Sequence, residues 1–230
     1  MFRTTSSEGL PGLGTYLGEI AGGFCPFLGP SVEEGVILFS RHELIPGSLE
    51  HLEAQVFYLG LIHTELFRKH RRKQQTVKGW TLSCENVIFH DPTLVGKGRV
   101  LLDWPHWLLK ALYTKTGVMF GKFWEGEEST SRDGRPIPPP PCDFLSIRSS
   151  VKPLDGRFFS LAPQLTDEYI NSVDAGNDVL GEVEIRGEAF STLMSEEWSE
   201  PTDSQCRALC DAMMASGVFQ KLKAEKFRRA

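Results

Sequence analysis

The 230-residue sequence predicts a single α+β domain with a mainly antiparallel sheet packed by helices. Three observations carry that reading. Apolar positions recur at helical spacing over one long segment after Ser48, short apolar runs bounded by Gly and Pro read as strands, and the two kinds of segment do not alternate as in a doubly wound sheet. The length suits one sizeable core. Residues 23–230 are therefore read as the domain, and residues 1–22, glycine-rich and poor in periodic apolar positions, as an N-terminal arm packed onto it.

Each element follows from local chemistry. Val36-Ile37-Leu38-Phe39, between Gly35 and the turn-like Pro46-Gly47, reads as a strand. Ser48 is a good N-cap, and Leu49, Leu52, Val56, Leu59 and Leu66 keep helical spacing up to the basic run Arg68–Lys73, which complements the negative end of a helix dipole. A second helix is expected from Pro105, suited to a first turn, to Lys115, with Gly117 as its stop. Val118–Trp124 and Asp143–Val151 read as strands, and Phe158-Phe159-Ser160-Leu161 as a third. Between the first two, residues 125–141 hold five prolines and cannot be helical, so they form a long ordered loop or a lid. Thr202-Asp203-Ser204-Gln205 is a capping box that opens a helix with Cys206, Leu209, Cys210 and Met213 on one face, stopped by Gly217.

Composition bounds the function. A hydrophobic fraction of 40% with 24% charged residues is that of a globular protein, and fifteen Phe with five Trp supply core or apolar pocket walls. A net charge of −5 argues against a nucleic-acid partner. No apolar run reaches the roughly 20 residues of a membrane span, and the start lacks a signal-peptide pattern, so a cytoplasmic protein that does not engage a membrane is expected. Five cysteines without a C-x-x-C pair indicate reduced thiols and no metal site.

Several residues could carry chemistry. His63 falls on the apolar stripe of the long helix with His70 two turns on, about 10 Å away and too far for joint metal ligation; a core histidine bonded to a carbonyl stands beside a catalytic or axial-ligand role. His90-Asp91-Pro92 and Asp103-Trp104-Pro105-His106 each place a carboxylate near an imidazole, as a general base or as an ordinary turn or cap would. Gly96-Lys97-Gly98-Arg99 reads as a turn. Cys25 precedes a proline between two phenylalanines and is inert unless a cation lies near it. Arg148 shares a strand face with Phe144 and Ser146 and demands a partner: an anionic ligand group, or an internal carboxylate from Asp143, Asp155 or the lid.

The Cys25-Pro26-Phe27 element, Gly35, the strand Met119-Phe120-Gly121-Lys122-Phe123, the proline-bearing spacer and the run Phe144-Leu145-Ser146-Ile147-Arg148 with Val151, Asp155 and Phe158-Phe159 resemble an uncharacterised domain family found beside microbial natural-product genes. More remotely, the chain is similar to the YqcI/YcgG-type haem-dependent N-oxygenases. In those enzymes a late loop supplies a histidine to the haem. The corresponding stretch here, Phe123–Glu128, has none, so under that resemblance a ligand would come from His63, His70, His90, His106 or Cys25.

The resemblance implies a pocket between the Cys25 segment, the Val118–Trp124 strand and the Arg148 strand, with Cys25, Phe27, Phe120, Phe123, Trp124 and Phe144 as substrate-binding residues and the proline-rich segment as its lid. The expectation is a tailoring enzyme of secondary metabolism, a cyclase, isomerase or oxygenase, acting on a small, largely apolar molecule. Glu125, Glu127 or Glu128 would move a proton while Arg148 holds developing negative charge, without a cofactor. The alternatives are a haem oxygenase and a non-catalytic ligand- or partner-binding protein that presents Pro136–Pro141 as a polyproline segment. A homodimer is compatible with the sequence.

Overall fold

The computed structural model describes residues 3–4, 12–25, 28–73, 82–90, 96–159, 162–185, 191, 195 and 201–227. The fold is α+β, as the sequence predicts. Its strands are β1 (Arg3–Thr4), β2 (Ile37–Glu43), β3 (Cys84–His90), β4 (Val118–Phe123), the short hairpin pair β5 (Ser129–Thr130) and β6 (Pro136–Ile137), and β7 (Asp143–Ser149). The main sheet has the order β1-β2-β3-β7-β4. Only β2 and β3 run parallel, and every other pair in it is antiparallel. The parallel pair needs a crossover, and α3 (Leu49–Lys73) supplies it.

Helix α3 is the centre of the molecule. The Ser48 hydroxyl accepts from the His51 amide at its start, and His70, Arg71, Arg72 and Lys73 lie in its last turn. Every residue from Leu52 to Lys69 is buried, because the sheet covers one side and helices α4 (Gly98–Tyr113) and α8 (Asp203–Met214) cover others. A helix enclosed all round is ordinarily apolar throughout. This one is not, so its polar groups find partners inside the protein. Arg68, fully buried, binds Glu65 at 2.7 Å and Asp174 at 2.8 Å, and Tyr113 donates to the same Glu65 at 2.7 Å. Burial disfavours the charged guanidinium, yet the bonds to Asp174 and the charges of Glu65 and Asp174 outweigh it, and Arg68 stays ionised.

The remaining helices close the other face and the ends. Helix α1 (Leu13–Gly23) packs Leu13, Tyr16 and Leu17 onto Ile37, Phe39, Ile88 and Phe144. The stretch read as an arm thus contains a helix that completes a second apolar cluster. Helices α2 (Leu28–Glu33), α5 (Lys152–Asp155), α6 (Thr166–Ile170) and α7 (Val179–Glu182) are short. Thr202 and Gln205 form the expected capping box of α8, and α9 (Val218–Phe227) follows Gly217 at φ 64°.

Two expectations are corrected. Helix α4 starts at Gly98, so Pro105 lies inside it. The apolar stripe Leu101, Leu102, Leu108 and Leu109, each at most 1% exposed, gains more by burial than one missing backbone bond costs. Asp103 is then mid-helix and pairs with Lys122 instead of capping. Phe158 and Phe159 form a 3-10 turn over Gly156–Phe159, since Phe159 points into a cluster with Met119 and Tyr169 while Phe158 stays exposed; Ser160 and Leu161 lie outside the described residues. Among the described residues, no helix is long and apolar enough to cross a membrane.

Removing one partner from the buried ion network leaves an uncompensated charge. Arg68→Ala is expected to lose about 3–5 kcal/mol of stability in urea unfolding; a loss under about 1 kcal/mol would show that α3 does not depend on the network.

Candidate functional site on the outer face of the sheet

Strand alternation sends successive side chains to opposite faces. Leu38, Ser40 and His42, Glu85, Val87 and Phe89, Phe120, and Leu145 and Ile147 face α3 and α4. The outer face carries the other set. Register aligns it in three rows across β3, β7 and β4: Cys84, Arg148 and Met119; Asn86, Ser146 and Gly121; Ile88, Phe144 and Phe123. The last row lies under α1, where Phe123 stacks on Phe144 at 4.7 Å and Tyr16 meets Phe144 edge-on. Met119 lies under Phe159 and Tyr169. Between these two apolar clusters runs a polar strip of Arg148, Cys84, Ser146 and Asn86.

The strip is built, not incidental. Arg148 is 24% exposed and makes a two-pronged pair with the buried Asp155 at 2.8 and 2.7 Å, the internal alternative weighed from sequence. Asp155 also accepts from the Val151 amide at 2.7 Å, which fixes the guanidinium in place. Burial pulls Arg148 down, but the bond to Asp155 and its charge raise it overall. Cys84 Sγ lies 3.1 Å from Ser146 Oγ and its thiol donates weakly to Asn86 Oδ1 at 3.8 Å. Burial pushes the Cys84 thiol up to about 11 against the pull of Ser146 and Arg148, so it stays protonated. Asn86 is 1% exposed, and among the described residues its Nδ2 has no hydrogen-bond partner. A buried amide left unpaired costs free energy, so an acceptor at this donor, an internal water or a ligand oxygen, would be stabilising.

Cys25 stands where the chain leaves α1, its amide bonded to Ile20 O at 2.8 Å and its carbonyl accepting from Leu28. Its thiol is close enough to Arg148, Cys84 and Tyr16 to act electrostatically on all three. The expected pocket residues divide between the faces. Phe123 and Phe144 flank the strip, whereas Phe120 packs on Tyr113 in the helix-side core, and Trp124 lies against that core with Lys122 over its ring. Phe27 lies outside the described residues.

The expected lid is ordered as the β5/β6 hairpin, turned at Gly134 with φ 81°. Its Arg135 bonds the Gly23 carbonyl at 3.0 Å and covers the Phe24 ring at 5.0 Å, so the hairpin is held to the end of α1 beside Cys25. The three glutamates lie elsewhere. Glu125 donates its amide to Asp143, and Asp143 and Arg148 are five residues apart on β7, about 17 Å. Glu125 and Glu128 are exposed. Burial raises the Glu127 carboxyl against the charges of Lys122 and Arg99, and it acts on Tyr16. Glu125 and Arg148 therefore sit at opposite ends of β7.

His63 has both ring nitrogens engaged: Nδ1 lies 2.5 Å from Glu85 and Nε2 2.8 Å from Nε2 of His42. Ser40 donates to the same glutamate at 3.3 Å, and His42 Nδ1 lies 3.5 Å from Asp203. With ring centroids 5.1 Å apart, the two Nε2 atoms point at each other nearly in line. A bridging zinc would need about 2.0–2.1 Å to each nitrogen, so a shared proton, not an ion, joins them. His42 is pulled well below the ordinary histidine value by burial, then by His63 and Arg207. It is neutral and offers one N–H. His42 and Glu85 were not singled out in the sequence; the available signal was the alternation Leu38, Ser40, His42 opposite the His63 stripe. Among the described residues no group of three or more His, Cys, Asp or Glu could hold a metal ion.

His106 donates Nε2–H to the Phe120 carbonyl at 3.1 Å, and burial with the Lys122 and Lys110 charges pushes it down to about 4. His90 is at the surface, 3.9 Å from Glu43; Asp91 and Pro92 lie outside the described residues. A histidine lowered from 6.5 to about 4 is neutral when folded and protonates in the unfolded chain first. Its stability is complete above pH 6.5 and lost as pH falls toward 4. At 1.36 kcal/mol per unit the loss is about 3 kcal/mol at most. His106→Gln keeps a donor without titrating, and should flatten the urea-derived stability between pH 7 and 4.5 by about 2–3 kcal/mol. An unchanged slope would assign the acid sensitivity to other groups.

No curated protein and no solved structure matches the chain. A family model described as a domain of unknown function, DUF6875, matches residues 15–179, a span that holds most of α1, the whole sheet apart from β1, the hairpin and the polar strip. The chain belongs to that family.

Proposed function

We infer that the protein is an enzyme acting on a small, largely apolar molecule held against the outer face of the sheet, in keeping with a tailoring step of secondary metabolism. One observation carries this reading: the buried and unpartnered Nδ2 of Asn86, in a polar strip flanked on both sides by apolar clusters. Aromatic walls with a few fixed polar groups are the usual makeup of a small-molecule site. The ligand would place a carbonyl or carboxylate oxygen at Asn86 and its apolar body along Phe39, Phe144 and Tyr16. Arg148, held by Asp155, adds positive charge beside that oxygen, which favours any step that develops negative charge there.

The haem alternative does not fit His63. Both of its nitrogens are used within the core, and the apolar and polar groups around it leave it 0% exposed. An absorption spectrum after adding haemin, run on the wild type and on Cys25→Ser, His70→Ala and His90→Ala, checks the other expected ligands. No Soret band that depends on any of the three is expected; a band lost in one variant would instead make that residue an axial ligand.

Ligand-observed NMR against aromatic ketones and aromatic carboxylates tests the site itself. Saturation transfer is expected for the wild type and for His106→Gln, and at least about a tenfold weaker affinity for Asn86→Leu, since one lost hydrogen bond to a buried site is worth about that much. Equal binding by Asn86→Leu and the wild type would sink the assignment.

A further inference from the structure

We propose that Phe123, seated over Gly121, sets the size of the substrate, and that the strip takes a carbonyl compound or carboxylate built on a single ring and excludes fused rings. The inference rests on the strip being the substrate site and names what fits there. The opening lies over the middle row of the outer face, Asn86, Ser146 and Gly121. Ser146 belongs to β7, which is paired on both sides, and its neighbours Leu145 and Ile147, which face the helices, are 0% exposed. Ser146 and Gly121 are nonetheless only half-buried, so solvent reaches them from the outer face. The rows on either side are closed, Phe144 by Tyr16 and Phe123, and Met119 by Phe159 and Tyr169. Those rows are four residues apart along the strands, roughly 13 Å. Between them runs a trough with the middle row as its floor.

The two ends of the trough differ. At the β3 end stands Asn86, 1% exposed, with Nδ2 unpartnered among the described residues. At the β4 end Gly121 has no side chain, and Phe123 fills the gap. A Cβ on Gly121 would lie 2.7 Å from Phe123 Cε2 and 3.2 Å from its Cζ, so the far edge of the ring occupies the place where a side chain at 121 would begin. Gly121 is not among the glycines with positive φ. Backbone conformation therefore does not call for glycine there, whereas the close approach of the ring does. The ring is held from its other side by its stack on Phe144, at 4.7 Å and 18°. With strands about 4.8 Å apart, the floor from Asn86 to Gly121 spans about 10 Å, and the Phe123 ring takes the last of it. A ligand oxygen bonded to Asn86 Nδ2 then leaves room for one ring over Ser146. A second ring fused in line with the first would run into Phe123.

Acetophenone and 2-acetonaphthone carry the same acetyl group on one ring and on two, so the pair separates ring size from carbonyl recognition. Apolar area alone favours the larger ketone, which makes the opposite order informative. Ligand-observed NMR titrations of the native full chain should give at least about a tenfold preference for acetophenone, the cost of a group too many against a packed wall. Phe123→Ala removes the wall and should erase that preference by tightening 2-acetonaphthone, with acetophenone little changed. Phe123→Leu keeps an apolar side chain on the Phe144 cluster and should move the ratio the same way, so the test stands even where the alanine variant does not fold. Equal or tighter binding of 2-acetonaphthone by the wild type, or a preference that the folded variants retain, overturns the size limit and leaves the site in place. Binding of neither ketone by the wild type sinks the site together with the size limit.

Discussion

The complete enclosure of α3 is the constraint on which the rest depends. Eighteen consecutive residues, Leu52 to Lys69, are buried, and among them stand Glu53, Gln55, His63, Thr64, Glu65, Arg68 and Lys69. Each polar group in a dry interior must be satisfied internally. Gln55 pairs with both backbone groups of Ile45, Thr64 with the Gly60 carbonyl, Glu53 with Lys223 and Lys69 with the Ser195 carbonyl. These bonds tie α3 to the loop after β2, to α9 and to the segment at Ser195. The helix thus acts as a hub whose polar residues fix where later parts of the chain dock.

The same enclosure assigns roles to the two faces of the sheet. The inner face packs against α3 and α4, and its titratable groups, Glu85, His63 and His42, are joined in one hydrogen-bonded row. That row holds β2, β3 and α3 in fixed relation, since shifting any one of the strands by a residue would turn its member to the opposite face. The outer face is covered by two separate apolar clusters instead of one long helix, and the polar strip is what lies between them. Its geometry is stiff because β7 is central, paired on both sides, and because Asp155 clamps Arg148 from the turn that follows.

Much of this was legible in the chain. The capping box at Thr202, the strand through Arg148 and the long helix after Ser48 are signalled within a few residues, since caps, strand alternation and helical periodicity are local properties. The start of α4 was misread because Pro105 is a strong local signal, while the burial of Leu101 and Leu102 that overrides it depends on partners distant in sequence. His42 and Glu85 were invisible as a pair for a related reason: nothing near either residue indicates that a parallel crossover sets β2 beside β3 under α3.

By itself, then, the sequence determined the fold class and the strand face that Arg148 and Phe144 share, because alternation, spacing and residue type need no tertiary information. Only the tertiary structure decided that Arg148 is clamped by Asp155, that Phe120 and Trp124 face the core, that Glu125 is held at Asp143, some 17 Å of strand from Arg148, and that a buried amide at Asn86 is left unpaired among the described residues. These are relations between residues tens of positions apart, set by strand register and by the order of strands in the sheet, and neither quantity is written in any local stretch of the chain.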